Sequence, residues 1–304
     1  MIQLAFIENH YPFCEFKWIE EGKIIETEKG KKRVEIWTDK ETLDAHIEWR
    51  EKLAKETDSL TDRMIQTANG DKAVETDTGW LTLHDYVDHP YPVTSNVKQT
   101  GHFIGMYASV KMDNSMGRLN LANWQEDALF LSKSIKLKLK QKGLIERLRV
   151  EAEDRVKKAE VLFKEESAEE AASVLSIESP SQAKMIYGRM YWENQGKSFQ
   201  NKYLVLRSFL KEWVEANGTG ELTHLFDGLD ETFPLREQKG RQLLAAIVYP
   251  HEYISFMKWL NEAGESTEIE ERVNSLMKEW DIMKTLTEHV AEWIREPERR
   301  LSNV

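Results

Sequence analysis

The feature that most restricts this chain is one hydrophobic stripe near its C-terminus. Ile269, Val273, Leu276, Trp280, Met283, Leu286, Val290 and Trp293 recur at spacings of three and four, the period that gathers side chains on one face of an α-helix. A helix from about Thr267 to Glu296, where Pro297 would stop it, is about 45 Å long at 1.5 Å per residue. A helix of that length either runs through the middle of a bundle or offers its seam to another surface. Similar stripes lie upstream: Trp124, Ala128, Leu131, Ile135 and Leu139, then Ile145, Leu148, Ala152, Val156, Ala159 and Leu162, then Phe199, Tyr203, Leu206, Leu210 and Trp213, the last ended by Asn217-Gly-Thr-Gly220. Shorter helices are predicted around 221–226, 235–249 and from Pro250. Ser179-Pro180-Ser-Gln182 reads as a helix start, with Pro at the first helical position.

Before about Asn114 the pattern differs. Ile2, Leu4 and Phe6 alternate, and Phe13, Phe16 and Trp18 follow a Pro break. Val34-Glu-Ile-Trp37, Trp80-Leu-Thr-Leu-His84 and His102 to Val110 read as strands. Thr38 or Asp39 caps a helix running to about Met64 with Leu43, Ile47 and Leu53 inward. Asn69-Gly70 is the strongest hairpin signal. The fold class expected is α+β: a mixed N-terminal domain over 1–115, a basic helical connector or arm over 116–178, and an all-α domain over 179–304.

Charge follows the same division. The net charge is −11, yet residues 116–164 hold 12 Lys and Arg against 7 Asp and Glu, between acidic flanks with 14 against 21 and 16 against 25. A net acidic chain repels nucleic acid and anionic membrane at long range, so any phosphate contact must be local. No stretch approaches the ~20 apolar residues of a transmembrane helix. The single cysteine, Cys14, cannot form an internal disulfide, and the N-terminus lacks the basic and apolar regions of a signal peptide. A cytoplasmic setting is expected.

Three groups of residues are candidates for chemistry or contact. The run Lys133, Lys136, Lys138, Lys140 and Lys142, continued by Arg147 and Arg149, suits a partner surface or a nucleic-acid backbone. Its plainer reading is a solvated face with lysine stems over apolar surface. Trp280, Met283 and Trp293 suit a protein interface, since aromatic and Met side chains concentrate at such seams; otherwise they belong to a central helix. His84, Asp88, His89 and His102, with Asp85, hold the imidazole and carboxylate ligands of a transition metal; otherwise they fix a polar loop before Pro90 and Pro92. Lys184 to Phe199, with Tyr187, Tyr191 and Trp192, mixes aromatics and cations but reads mainly as a helical core stripe. Gly196-Lys197-Ser198 resembles the end of a phosphate-binding loop, but Tyr191 stands where that motif requires glycine.

These signals favour a non-enzymatic interaction protein that docks on a macromolecular partner or on copies of itself, acting as a regulator or inhibitor of a larger complex. On that reading no cofactor is needed. The alternatives are a nucleic-acid-binding protein using 133–149, and a metal-dependent hydrolase using the His84 to His102 cluster.

Overall fold

The alternation at Val34 and Ile36 does build a strand, and it sits at the centre of a sheet. In the computed structural model, which describes residues 3–110, 142–163, 173–194, 198–263 and 268–302, the chain divides into two units. One takes residues 1–93 and 181–195, the other 94–180 and 196–304. The result is a mixed architecture, with the larger sheet in the N-terminal part and helices dominating the C-terminal part.

The first unit holds a five-stranded antiparallel sheet in the order β1-β2-β3-β6-β5. Its strands are β1 (Lys17–Glu20), β2 (Ile24–Thr27), β3 (Gly30–Trp37), β5 (Val74–Thr76) and β6 (Gly79–Asp85). One face is apolar: Ile25, Val34, Leu81 and Leu83 pack with Ile7 and Tyr11. Ile7 lies on α1 (Leu4–His10), a short helix where the sequence reading placed a strand. The hairpin between β5 and β6 turns at Asp77-Thr78. Asn69-Gly70 instead forms a separate turn, with the Asn69 and Asp71 amides donating to Thr67 Oγ1. Helix α2 (Lys40–Glu56) follows β3, opened by Asp39, whose carboxylate accepts from the Thr42 amide at 2.7 Å. It ends earlier than expected, and Met64 instead packs with Trp37 and Leu43.

A second, three-stranded sheet joins this unit. β4 (Leu60–Thr61) pairs in parallel with β9 (Arg189–Trp192), and β9 pairs antiparallel with β8 (Ala183–Ile186). The sequence reading placed a helix here. Tyr187 and Gly188 both take positive φ, which is the requirement of a tight hairpin, and Tyr187 is 94% exposed at the tip.

Among the described residues the second unit is mostly helical, with a two-stranded ladder between β7 (Ser173–Leu175) and β10 (Phe199–Asn201). Its helices are α3 (Val97–Ser109), α4 (Lys142–Leu162), α5 (Lys202–Asn217), α6 (Leu222–Asp230), α7 (Gly240–Val248), α8 (His251–Ala263) and α9 (Ile269–Ser302). The expected connector stripe on α4 packs Ile145, Leu148, Ala152 and Val156 into one core with residues of α7, α8 and α9. The long stripe on α9 is interior: Trp280, Met283 and Trp293 are buried within this unit. That corrects the expectation that they form a protein interface, because α5, α7 and α8 already cover the seam.

His102 to Val110, expected as a strand, belongs to α3 and the residue that ends it. An apolar run with Gly101 and Gly105 one turn apart allows α3 to lie backbone against backbone on α6. A Cβ on Gly228 would stand 2.0 Å from the Lys98 carbonyl oxygen, and one on Gly101 would stand 2.1 Å from that of Leu225. Thr232 Oγ1 donates to the His102 carbonyl and Ser109 Oγ to that of Thr232. Alanine gains about 1 kcal/mol over glycine in helix propensity, whereas overpacking of this kind costs about 1–3 kcal/mol. We expect Gly228→Ala to lower the urea midpoint of the second unit; a raised midpoint would show the crossing to be loose.

Candidate functional site

On β3 and β6 the face opposite the apolar core is polar. Arg33, Glu35 and Trp37 alternate along β3, and register sets Arg33 opposite His84 and Glu35 opposite Thr82. Trp37 Nε1 donates to Thr82 Oγ1 at 2.9 Å, Thr82 Oγ1 lies 2.9 Å from His84 Nε2, and His84 Nδ1 lies 3.0 Å from Asp62 Oδ1.

Asp62 is the hub and is fully buried. Arg33 Nη2 donates to it at 2.7 Å, the Tyr191 hydroxyl at 2.9 Å and the Asn194 amide at 3.3 Å. Arg33 also faces Glu35, and Glu193 at 3.5 Å. From α2, Arg50 bonds His46 Nδ1 and the Asn194 carbonyl. Burial opposes ionisation of Asp62, but the positive surroundings of His84, Arg33 and Arg50 prevail and hold its carboxyl well below the usual range. Burial and the adjacent Asp62 push the Tyr191 phenol well up, so Tyr191 remains a neutral donor. The network ties β3, β6, α2 and the end of β9 together by charge satisfied inside the fold.

The second unit carries an open polar cavity of about 430 Å³ lined by Ser176, Glu178, Ser198, Gln200, Arg207 and Lys211, with Glu212 and Glu279. Its walls are anchored. Tyr107 Oη donates to the Leu175 carbonyl at 3.0 Å, the Ser176 amide to that of Ser198 at 3.0 Å, and the Asn201 side chain caps α5 by accepting from the Tyr203 amide. Glu178 thus stands exposed on a short loop leaving an anchored strand. Lys211 lies 3.3 Å from Glu212 and 3.9 Å from Glu279. Three carboxylates, two cations and several hydroxyls around one cavity can hold a small molecule bearing both amine and hydroxyl groups.

The residues singled out from sequence distribute as follows. His84 has both ring nitrogens engaged in the Asp62 network. Asp88 pairs with Lys31 at 3.4 Å, and His89 is an exposed ring 3.5 Å from Asp88. His102 belongs to the second unit and bonds Glu231 at 3.0 Å. Among the described residues no group of three or more His, Cys, Asp or Glu side chains is placed to hold a metal ion. Lys133, Lys136, Lys138 and Lys140 lie outside the described residues. Lys142 and Arg147 are exposed, and Arg149 pairs with Glu146 and Glu153 along α4. Asp62, Arg33 and Glu178 were not singled out: a lone buried acid gives no periodic signal.

No protein-family model matches the sequence, and no curated protein is similar to it in sequence. The fold has counterparts among solved structures. The chain is similar to an aminoglycoside phosphotransferase from Alicyclobacillus acidocaldarius, with a TM-score of 0.71, 11% identity and 97% of each chain covered. It is similar to a spectinomycin phosphotransferase bound to ADP and spectinomycin, with a TM-score of 0.60, 11% identity, and 93% and 97% covered. It is also similar to a choline/ethanolamine kinase family protein from Mesorhizobium loti, with a TM-score of 0.53, 10% identity, and 93% and 92% covered. The fold is therefore kinase-like and compatible with the α+β class. These neighbours overturn the expectation of a non-enzymatic docking protein or regulator, because the fold they share over 93–97% of the chain is that of phosphotransferases and kinases. The stripes of α4, α5 and α9 had suggested adhesive surfaces, but they are buried in the second unit; the stripe from Trp124 to Leu139 lies outside the described residues. Among the described residues no helix is long and apolar enough to cross a membrane.

The sequence departs from the protein-kinase signatures. It contains no Gly-x-Gly-x-x-Gly, no His-Arg-Asp and no Asp-Phe-Gly, the elements that cover phosphates, supply the base and hold metal in those enzymes. Of the cations on β3, Lys31 pairs with Asp88, Lys32 with Asp85, and Arg33 with Asp62, Glu35 and Glu193. The three acids around Arg33 are therefore committed to a guanidinium and do not fit the divalent cation that accompanies a nucleoside triphosphate in this chemistry.

Proposed function

We propose that this chain is a phosphotransferase that moves the γ-phosphoryl group of a nucleoside triphosphate to a hydroxyl of a small amine-bearing molecule. The observation that carries the reading is the fold shared over 97% of the chain with a phosphotransferase, taken as a fold-level analogy. Two of the neighbours' names denote amino compounds, an aminoglycoside and ethanolamine, and one neighbour was solved with ADP. The cavity beside Glu178 matches such an acceptor. Its carboxylates suit an ammonium group, and Ser176, Ser198, Ser208 and Gln200 suit hydroxyls.

In phosphoryl transfer the protein mainly positions its reactants and stabilises charge, and a carboxylate takes the acceptor's proton. Glu178, on the loop leaving β7, is an exposed carboxylate that lines that cavity. We assign it the base. The acceptor oxygen bonds the γ-phosphorus as the bond to the β-phosphate bridging oxygen breaks, Glu178 receives the hydroxyl proton, and the nucleoside diphosphate leaves. A cytoplasmic setting, where nucleoside triphosphates abound, suits this reading.

A second reading, binding of nucleotide and amine without transfer, is favoured by the enclosure of Arg33 among three carboxylates. Calorimetric titration of the full chain with ATP and magnesium, then with ethanolamine or an aminoglycoside, tests what the two readings share. Saturable binding of nucleotide and of at least one amine is expected. Absence of nucleotide binding would remove both.

A further inference from the structure

Glu252 at the start of α8 is buried between two arginines. Arg155 Nη1 lies 2.6 Å from one of its oxygens and Arg207 Nη2 lies 3.0 Å from the other. Arg155 is held on other sides too: its Nε donates to the Val248 carbonyl at 2.7 Å, at the negative end of α7, and its guanidinium lies 4.3 Å from the Trp280 ring centre. Arg207 faces a second acid. Glu279, at 3.6 Å, is only half-buried, and the Arg207 Nε is buried with no hydrogen-bond partner. The neighbouring His251 Nε2 is likewise buried without a partner.

Both of these residues line a cavity of about 210 Å³ between α5, α8 and α9, and Ser255, Arg272 and Ser275 complete its polar wall. Arg272 lies with its guanidinium 5.2 Å from the Trp259 ring, where the flat cation can be held without an acid. Arg155 and Arg207 share Glu252, Arg207 shares Glu279 with Lys211, and Arg272 lines the same cavity. Burial, with Arg207, Arg155 and Lys258 nearby, holds the His251 imidazole well below its ordinary pKa. The local field is therefore positive.

We propose that this cavity binds a small oxyanion of the phosphate or phosphomonoester class, received by Arg207, His251 and Arg272 with the two serines. An anion supplies acceptors for the Arg207 Nε–H and for His251 in its Nε2–H tautomer. This cavity shares Arg207 and Glu279 with the one beside Glu178, whereas His251, Ser255, Arg272 and Ser275 line this one and not that.

The test is calorimetric titration of the full chain with inorganic phosphate, with glycerol phosphate and with acetate, alongside the side-chain NMR signals of His251. Saturable binding of phosphate or its ester, with the His251 signals moving at the same midpoint, is expected. Arg272 is exposed, so Arg272→Gln leaves the fold intact; losing one charge-assisted hydrogen bond should weaken binding about tenfold. Tighter binding of the ester identifies an esterified ligand, and tighter binding of free phosphate identifies the inorganic ion. No saturable binding of either, equal binding of acetate, or an unchanged affinity in Arg272→Gln would overturn the proposal.

Discussion

Replacing Asp62 by Asn will destabilise the first unit by about 3–5 kcal/mol, the cost of removing one partner from a buried ion pair. Arg33 and Arg50 would both lose the buried carboxylate they face at 2.7 and 3.9 Å. The amide can keep at most part of the hydrogen bonding from Tyr191, His84 and the Asn194 amide. Hydrogen exchange of the β3–β6 ladder is the suitable measurement, because it reports the opening energy of that sheet without assuming one transition for both units. A change below about 1 kcal/mol would show that the charges are screened.

The same residue fixes a pH dependence. Its folded-state pKa lies below the unfolded value of about 3.9. Its stabilisation is therefore complete above that value and is lost as pH falls below about 4 towards the folded pKa. The gap between Asp62→Asn and the parent chain should be constant from pH 6 to pH 8 and narrow under acid. A gap that widens under acid would contradict the assignment.

Glu178→Gln will lower the rate of phosphoryl transfer by about 10²–10⁴-fold, the range associated with a positioned general base. The residue is exposed on a loop, so stability should change by less than about 0.5 kcal/mol. The loss should fall on kcat with KM nearly unchanged, since the proton is taken only in the transition state. Removal of Glu212 or Glu279, which face Lys211, should instead raise KM for an amine-bearing acceptor. Full activity in Glu178→Gln would place the base elsewhere.

How much of this was legible in the sequence depended on periodicity. The α9 stripe from Ile269 to Trp293 and the β3 alternation announced their elements, because each buries one face over several repeats. The run from His102 to Val110 did not, since a short apolar run reads equally as strand or helix. Gly101 and Gly105, which permit the α6 crossing, were the overlooked sign. The β8–β9 hairpin was hidden because Tyr187-Gly188 lies outside the usual Asn-Gly and Asp-Gly turn pairs. His84 was noticed as a metal ligand but serves Asp62, which is distant in sequence and unremarkable among so many acids. Arg33, Asp62 and Glu193 are brought together by strand register and by the parallel β4–β9 pairing, neither of which leaves a local pattern.

The most direct measurement is ³¹P NMR of the purified full chain with ATP, magnesium and ethanolamine or an aminoglycoside. A phosphotransferase of the kind proposed makes a new phosphomonoester resonance grow as the γ-phosphate signal of ATP declines in equal amount. ATP left intact beside an amine that binds, or converted only to inorganic phosphate, would contradict it.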